Sequence, residues 1–140
     1  MENIYNKAVV GLMLAGNYVM EPLNSFFKGY DLTVQQYNIL RILRGQNGTP
    51  INLYELLTHM IHKSSNTTRL VEKLRLKGLL ERKVCESNRR KIEIVITTKG
   101  LDLLENINQS LIDFEEKLVH NLSKDELNTL LELINKVTNK

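Results

Sequence analysis

This sequence has little of what several protein classes require. It holds one cysteine, Cys85, among 140 residues, which excludes an intrachain disulfide and a cysteine-rich zinc site and fits a reducing, cytoplasmic setting. Two prolines and seven glycines form no linker, and no repeat or low-complexity tract interrupts the chain. A single domain over residues 1–140 is therefore expected. No apolar run reaches the roughly 20 residues of a membrane span. The start, Met1-Glu2-Asn3-Ile4-Tyr5-Asn6-Lys7, lacks the basic segment and apolar block of a signal peptide, so no membrane partner is expected. A nucleophile–base pair, a Gly-rich phosphate loop and a paired-carboxylate motif are all missing. An enzyme reading has no constellation behind it, and neither catalytic residues nor a cofactor are expected.

What is present is a globular composition, 42% hydrophobic and 25% charged, with its charge placed unevenly. Residues 1–58 are neutral overall, and residues 92–140 carry a net charge of −4. Residues 59–91 hold ten cations (Lys63, Arg69, Lys73, Arg75, Lys77, Arg82, Lys83, Arg89, Arg90, Lys91) against Glu72, Glu81 and Glu86, a net +7. A positive field confined to one segment points to a polyanion approached from one side, or to a solvated Lys-rich face.

The hydrophobic pattern predicts mostly helices. Ile4, Ala8, Leu12, Ala15, Val19, Met20, Leu23 and Phe27 recur at helical spacing over residues 4–28, an unusually apolar first helix that suits either a core or an oligomer interface. Thr33 to Gln36, Asn52 to Glu55 and Ser123 to Glu126 each set a capping side chain three residues before Gln or Glu. Lys63-Ser64-Ser65 offers a serine cap to a fourth helix start. Gly45 to Pro50 is turn chemistry. From Leu79 the period changes to two, predicting strands Leu80–Cys85 and Ile92–Thr97 around an exposed basic tip, Glu86 to Lys91. A long helix to about Asn121 then carries a seam of Leu104, Ile107, Leu111, Phe114 and Leu118. A final helix repeats it with Leu127, Leu130, Leu131, Ile134 and Val137. The fold expected is mainly α with a small β-hairpin wing (α+β): a winged helix-turn-helix flanked by long terminal helices.

On a helix over residues 64–78, turned by 100° per residue, Thr67, Leu70, Val71, Leu74 and Gly78 share the face to be buried. Ser65, Arg69, Glu72 and Lys73 fall opposite, flanked by Asn66 and Thr68. Short hydrogen-bonding side chains followed by Arg and Lys suit a major-groove reader. Asn88, Arg89, Arg90 and Lys91 at a wing tip would enter the minor groove or grip its phosphates.

Three stretches resemble the MarR/SlyA regulators. Leu32-Thr33-Val34-Gln35-Gln36 looks like their Leu-Thr-x-x-Gln opening. Ser64-Ser65-Asn66-Thr67-Thr68-Arg69-Leu70-Val71, with Leu74 and Gly78, is similar to their recognition helix. Asn88-Arg89-Arg90 followed by Ile96-Thr97-Thr98-Lys99-Gly100 resembles their wing motif, with Asn88 where the family usually has Asp. The resemblance implies a homodimeric regulator that binds double-stranded DNA at an inverted-repeat operator. On this reading Ser64, Ser65, Asn66, Thr68, Arg69 and Lys73 serve as the recognition-helix site and Asn88 to Lys91 as the wing. Residues 32–99 would form the DNA lobe, and residues 1–30 and 100–140 the interlocking dimer helices. It further implies a repressor released by a small-molecule effector held between lobe and dimer helices. The alternative is a winged-helix module that binds a protein without reading DNA. Cys85 is read as a small strand residue despite nearby Lys83 and Arg89. His59 and His62, spaced by three, find no third ligand, so no metal is expected, and His62 would help position DNA. The five tyrosines suit a ligand pocket or ordinary packing alike.

Overall fold

The computed structural model describes residues 3–61 and 66–140, and of Arg89 and Arg90 the backbone alone. Its elements are α1 (Ile4–Lys28), α2 (Val34–Gly45), β1 (Ile51–Asn52), α3 (Leu53–His59), α4 (Thr67–Leu76), β2 (Leu80–Cys85), β3 (Asn88–Ile96), α5 (Thr98–Leu118) and α6 (Lys124–Thr138). The fold class is the one expected: helices with a small antiparallel wing. The chain divides into two compact units, Met1–Asn106 and Ile107–Lys140, and α5 contributes to both.

The cap chemistry sets the helix starts. Thr33 and Ser123 form capping boxes, each hydroxyl accepting from the N–H three residues on while Gln36 or Glu126 reaches back. Asn52 caps α3 differently. Its Oδ1 accepts from Glu55 N–H at 2.9 Å, and its Nδ2 donates to the Glu55 carboxylate at 2.7 Å. Asn47 (φ 52°) and Gly48 (φ 85°) turn the chain between α2 and β1.

The core of the first unit surrounds α2, where Ile39, Leu40, Ile42 and Leu43 are all buried. Burial of side chains this size contributes about 1.5–3 kcal/mol each. Phe27, the buried residue of α1, stacks on Tyr37 with ring centroids 4.4 Å apart. Leu56 of α3, Leu70, Val71 and Leu74 of α4, and Leu80, Ile94 and Ile96 of the sheet complete the core.

Four expectations need correction. The sheet has three strands in the order β1-β3-β2, because Ile51 and Asn52 pair with Ile94 and Glu93. A two-residue strand has no period to read, and its pairing is set by β3. The second wing strand begins at Asn88 rather than Ile92. Asn88 already pairs with Cys85, leaving Glu86 and Ser87 as the turn. Thus Asn88, Arg89, Arg90 and Lys91 lie in β3, not on a free tip. The long helix stops at Leu118 rather than Asn121, since Ser123 starts the next one. Gly78 is exposed and past the end of α4, not on its buried face.

The first helix is core at its C-terminal end only. Tyr5, Val9, Leu12, Met13, Leu14 and Tyr18 are all exposed. In α6 no residue is buried, and Leu131, Leu133 and Val137 lie open. Of the α5 seam, Leu104, Ile107 and Leu111 are buried, while Phe114 and Leu118 are half-buried. Among the described residues no helix is long and apolar enough to cross a membrane.

Candidate nucleic-acid interface

The site is built on α4 and the two wing strands. The described helix opens at Thr67 with Asn66 in the cap position (φ −89°, ψ 0°), without a side-chain cap bond. Ser64 and Ser65, expected as cap and contact residues, lie outside the described residues, as does His62. The helix ends in a left-handed glycine. Gly78 (φ 75°) lets its own N–H donate to Arg75 O and the Leu79 N–H donate to Leu74 O, the double bond that satisfies a helix C-terminus. That turn aims the chain directly into β2.

The helix is rotated as its spacing predicted. Thr67, Leu70, Val71 and Leu74 are buried, and Thr68, Arg69 and Lys73 are exposed. Leu76, unremarked in the pattern, joins Arg69 on the outward face and is 72% exposed.

In the wing, Leu80, Arg82 and Val84 stand opposite Ile96, Ile94 and Ile92. Leu80, Ile94 and Ile96 are buried, whereas Val84 and Ile92 are exposed, so the wing leaves the core at the Arg82–Ile94 pair. Ile92 keeps the alternation of Ile94 and Ile96 without sharing their burial. Instead it lines a hollow of about 250 Å³ with Leu53, Thr68, Val71, Glu72, Arg82 and Ile94. Beyond it the register slips. Val84 pairs with Ile92 and Cys85 with Asn88, so residues 89–91 oppose a single step of β2. This irregularity collects three cationic residues next to the turn of the wing. Asn88 and Lys91 are exposed there. The Cys85 thiol lies 3.1 Å from the Ser87 hydroxyl.

One carboxylate organises the junction of helix and wing. Glu72 Oε1 accepts from Arg75 Nη2 at 2.6 Å, and Oε2 accepts both Arg75 Nε at 3.0 Å and Arg82 Nη1 at 3.2 Å. These bonds, the Arg75 ones foremost, hold the Glu72 carboxyl down at about 2, and Glu72 in turn raises the Arg75 guanidinium. Glu72 is therefore ionised at neutral pH. Neither contact was singled out from the sequence, and the Arg82 one needs the strand's position. On the opposite flank of α4, Lys77 pairs with Asp31 at 3.2 Å. Among the described residues no group of His, Cys, Asp or Glu could hold a metal ion.

The arrangement can present a fixed helix face and a cationic ribbon to one extended polyanion. The profile of the MarR family matches residues 32–92. The chain is 30% identical over 117 residues to the multiple antibiotic resistance protein MarR of Escherichia coli, covering 82% of this chain and 79% of that one. It is 26% identical over 117 residues to the HTH-type transcriptional regulator PecS of Dickeya dadantii, covering 82% and 70%. Among solved structures, a mutant E. coli MarR complexed with operator DNA superimposes with a TM-score of 0.81 at 24% identity, covering 97% of this chain and 99% of that one.

Proposed function

This chain belongs to the MarR family, and on that premise we propose that it is a cytoplasmic, homodimeric repressor that binds double-stranded DNA at an inverted-repeat operator. In this reading residues 32–99 form the DNA lobe, and residues 1–30 and 100–140 interlock with a second copy. Ser64, Ser65, Asn66, Thr68, Arg69 and Lys73 read the major groove, while Asn88, Arg89, Arg90 and Lys91 track phosphates and the minor groove. A small-molecule effector releases the repressor.

The observation that carries this reading is the rotation of α4. Its apolar face is spent on the core, so Thr68, Arg69 and Lys73 stand outward beside a basic wing. The operator complex solved for E. coli MarR supports the same partner for a chain of this fold. The dimer is favoured by the apolar side chains that α1 and α6 leave exposed, too many for a soluble monomer to keep in water.

Selection of bound duplexes from a random pool tests the reading. The recovered sites should be inverted repeats with half-site centres about one helical turn, roughly 10 bp, apart. Recovery of sites without dyad symmetry, or of none, would overturn it.

A further inference from the structure

The basic segment does not offer all its cations to a partner. Of the ten in residues 59–91, Arg75 and Arg82 are both bonded to Glu72, an acid on the same helix as Arg69 and Lys73. Arg75 lies one turn along α4, and Arg82 stands across the junction on β2. Neither guanidinium is buried: their side chains are 41% and 42% exposed, and that of Glu72 is 39% exposed. An ion pair this exposed is a weak mechanical tie, and Leu80, Ile94 and Ile96 already anchor the base of the wing in the core. The main consequence of Glu72 is therefore its charge.

We propose that Glu72 is a specificity-determining residue that withholds Arg75 and Arg82 from DNA phosphates. The inference rests on the DNA-binding reading above. Non-specific binding is driven almost entirely by released counterions, and each added phosphate contact deepens the salt dependence by about 0.9. Base readout by the outward face of α4 gains nothing from two further arginines at the junction, whereas binding to any duplex does. An acid that occupies both keeps random DNA a poor competitor. Its cost to operator binding is smaller, because Arg69 and Lys73 on the outward face of α4 remain exposed.

The test compares Glu72→Gln, which keeps the shape and removes the charge, with Glu72→Asp and with Glu72→Gln/Arg75→Ala/Arg82→Ala. Affinity for the selected operator and for a random-sequence duplex is measured across about 50–200 mM salt, alongside the salt at which each protein leaves a heparin column. Glu72→Gln should bind the random duplex several-fold tighter at the lowest salt. Its slope there should steepen by about 0.9 to 1.8, for one or two added contacts. Operator affinity should rise less, so the specificity ratio falls. The variant should also leave heparin at higher salt. Glu72→Asp should stay near the parent, and the triple variant should lose the gain. A random-duplex slope and heparin elution unchanged by Glu72→Gln, in a protein whose parent binds DNA, would overturn the inference. A parent that binds neither duplex, while Glu72→Gln still shifts on heparin, would overturn the DNA reading and leave the withholding of the two arginines standing.

Discussion

Replacing Gly100 with alanine is expected to destabilise the protein although the position is helical. A Cβ there would lie 2.3 Å from the Leu79 carbonyl oxygen and 2.7 Å from Cγ1 of Ile96. The carbonyl cannot swing aside, because it already accepts from Thr97 N–H at 3.1 Å. Thr97 is fixed as well: its hydroxyl donates to Gly78 O at 2.7 Å and accepts from Gly100 N–H at 3.1 Å. Overpacking of this kind costs about 1–3 kcal/mol, and a contact on backbone belongs at the upper end. Alanine regains about 1 kcal/mol of helix propensity at most, so a net loss of about 2 kcal/mol is expected. For a chain of this length that lowers the melting temperature by roughly 6–8 °C, read by circular dichroism at one fixed protein concentration. Leu79 and Ile96 flank the base of the wing, so operator affinity should fall too. Gly45→Ala is the control, since nothing lies within 4 Å of its added carbon. A Gly100→Ala protein melting within about 2 °C of the parent would refute the packing argument.

Three further outcomes are expected. Deleting residues 123–140, the segment holding α6, should give aggregation or unfolding, because the proposed dimer would lose the apolar surface through which α6 meets a second copy; a soluble, cooperatively folding monomer on sedimentation and melting would contradict the proposed dimer. Arg90→Ala should weaken operator and scrambled duplex by a similar factor and reduce the salt slope by about 0.9, with folding changed by less than about 0.5 kcal/mol; loss confined to the operator would make Arg90 a reader of sequence. Cys85→Ser should leave DNA binding and the response to peroxide unchanged, and a peroxide-induced release seen only in the parent would reverse that expectation.

The elements that sequence made legible are those governed by local chemistry. Thr33 with Gln36 and Ser123 with Glu126 announced their helices because a cap and its reciprocal partner lie three residues apart. The rotation of α4 followed from the spacing of Thr67, Leu70, Val71 and Leu74. What escaped depends on residues distant in the chain. β1 exists through its pairing with Ile94 and Glu93. β3 starts at Asn88 because that residue finds Cys85 across the turn, although a run of polar residues reads as loop. Ile92 keeps the strand's alternation yet stands exposed, since the wing has left the core by that point. The partnership of Glu72 with Arg82 spans helix and strand, so no spacing along α4 reveals it. The Gly100 motif was visible, whereas its reason, the carbonyl of Leu79, was not.

The proposed function stands on the outward face of α4 binding the operator. Its most direct test is the affinity of Arg69→Ala and Lys73→Ala for the selected operator, measured by fluorescence anisotropy beside the parent and checked for unchanged melting. Both side chains are exposed and point away from Leu70 and Leu74, so the fold should be untouched. A lost base contact costs about 1–3 kcal/mol, or roughly 5- to 150-fold in affinity, and a lost phosphate contact weakens all duplexes alike. Weaker operator binding is expected in each variant. Parent-like affinity in both would contradict it and put the DNA-binding face elsewhere on the molecule.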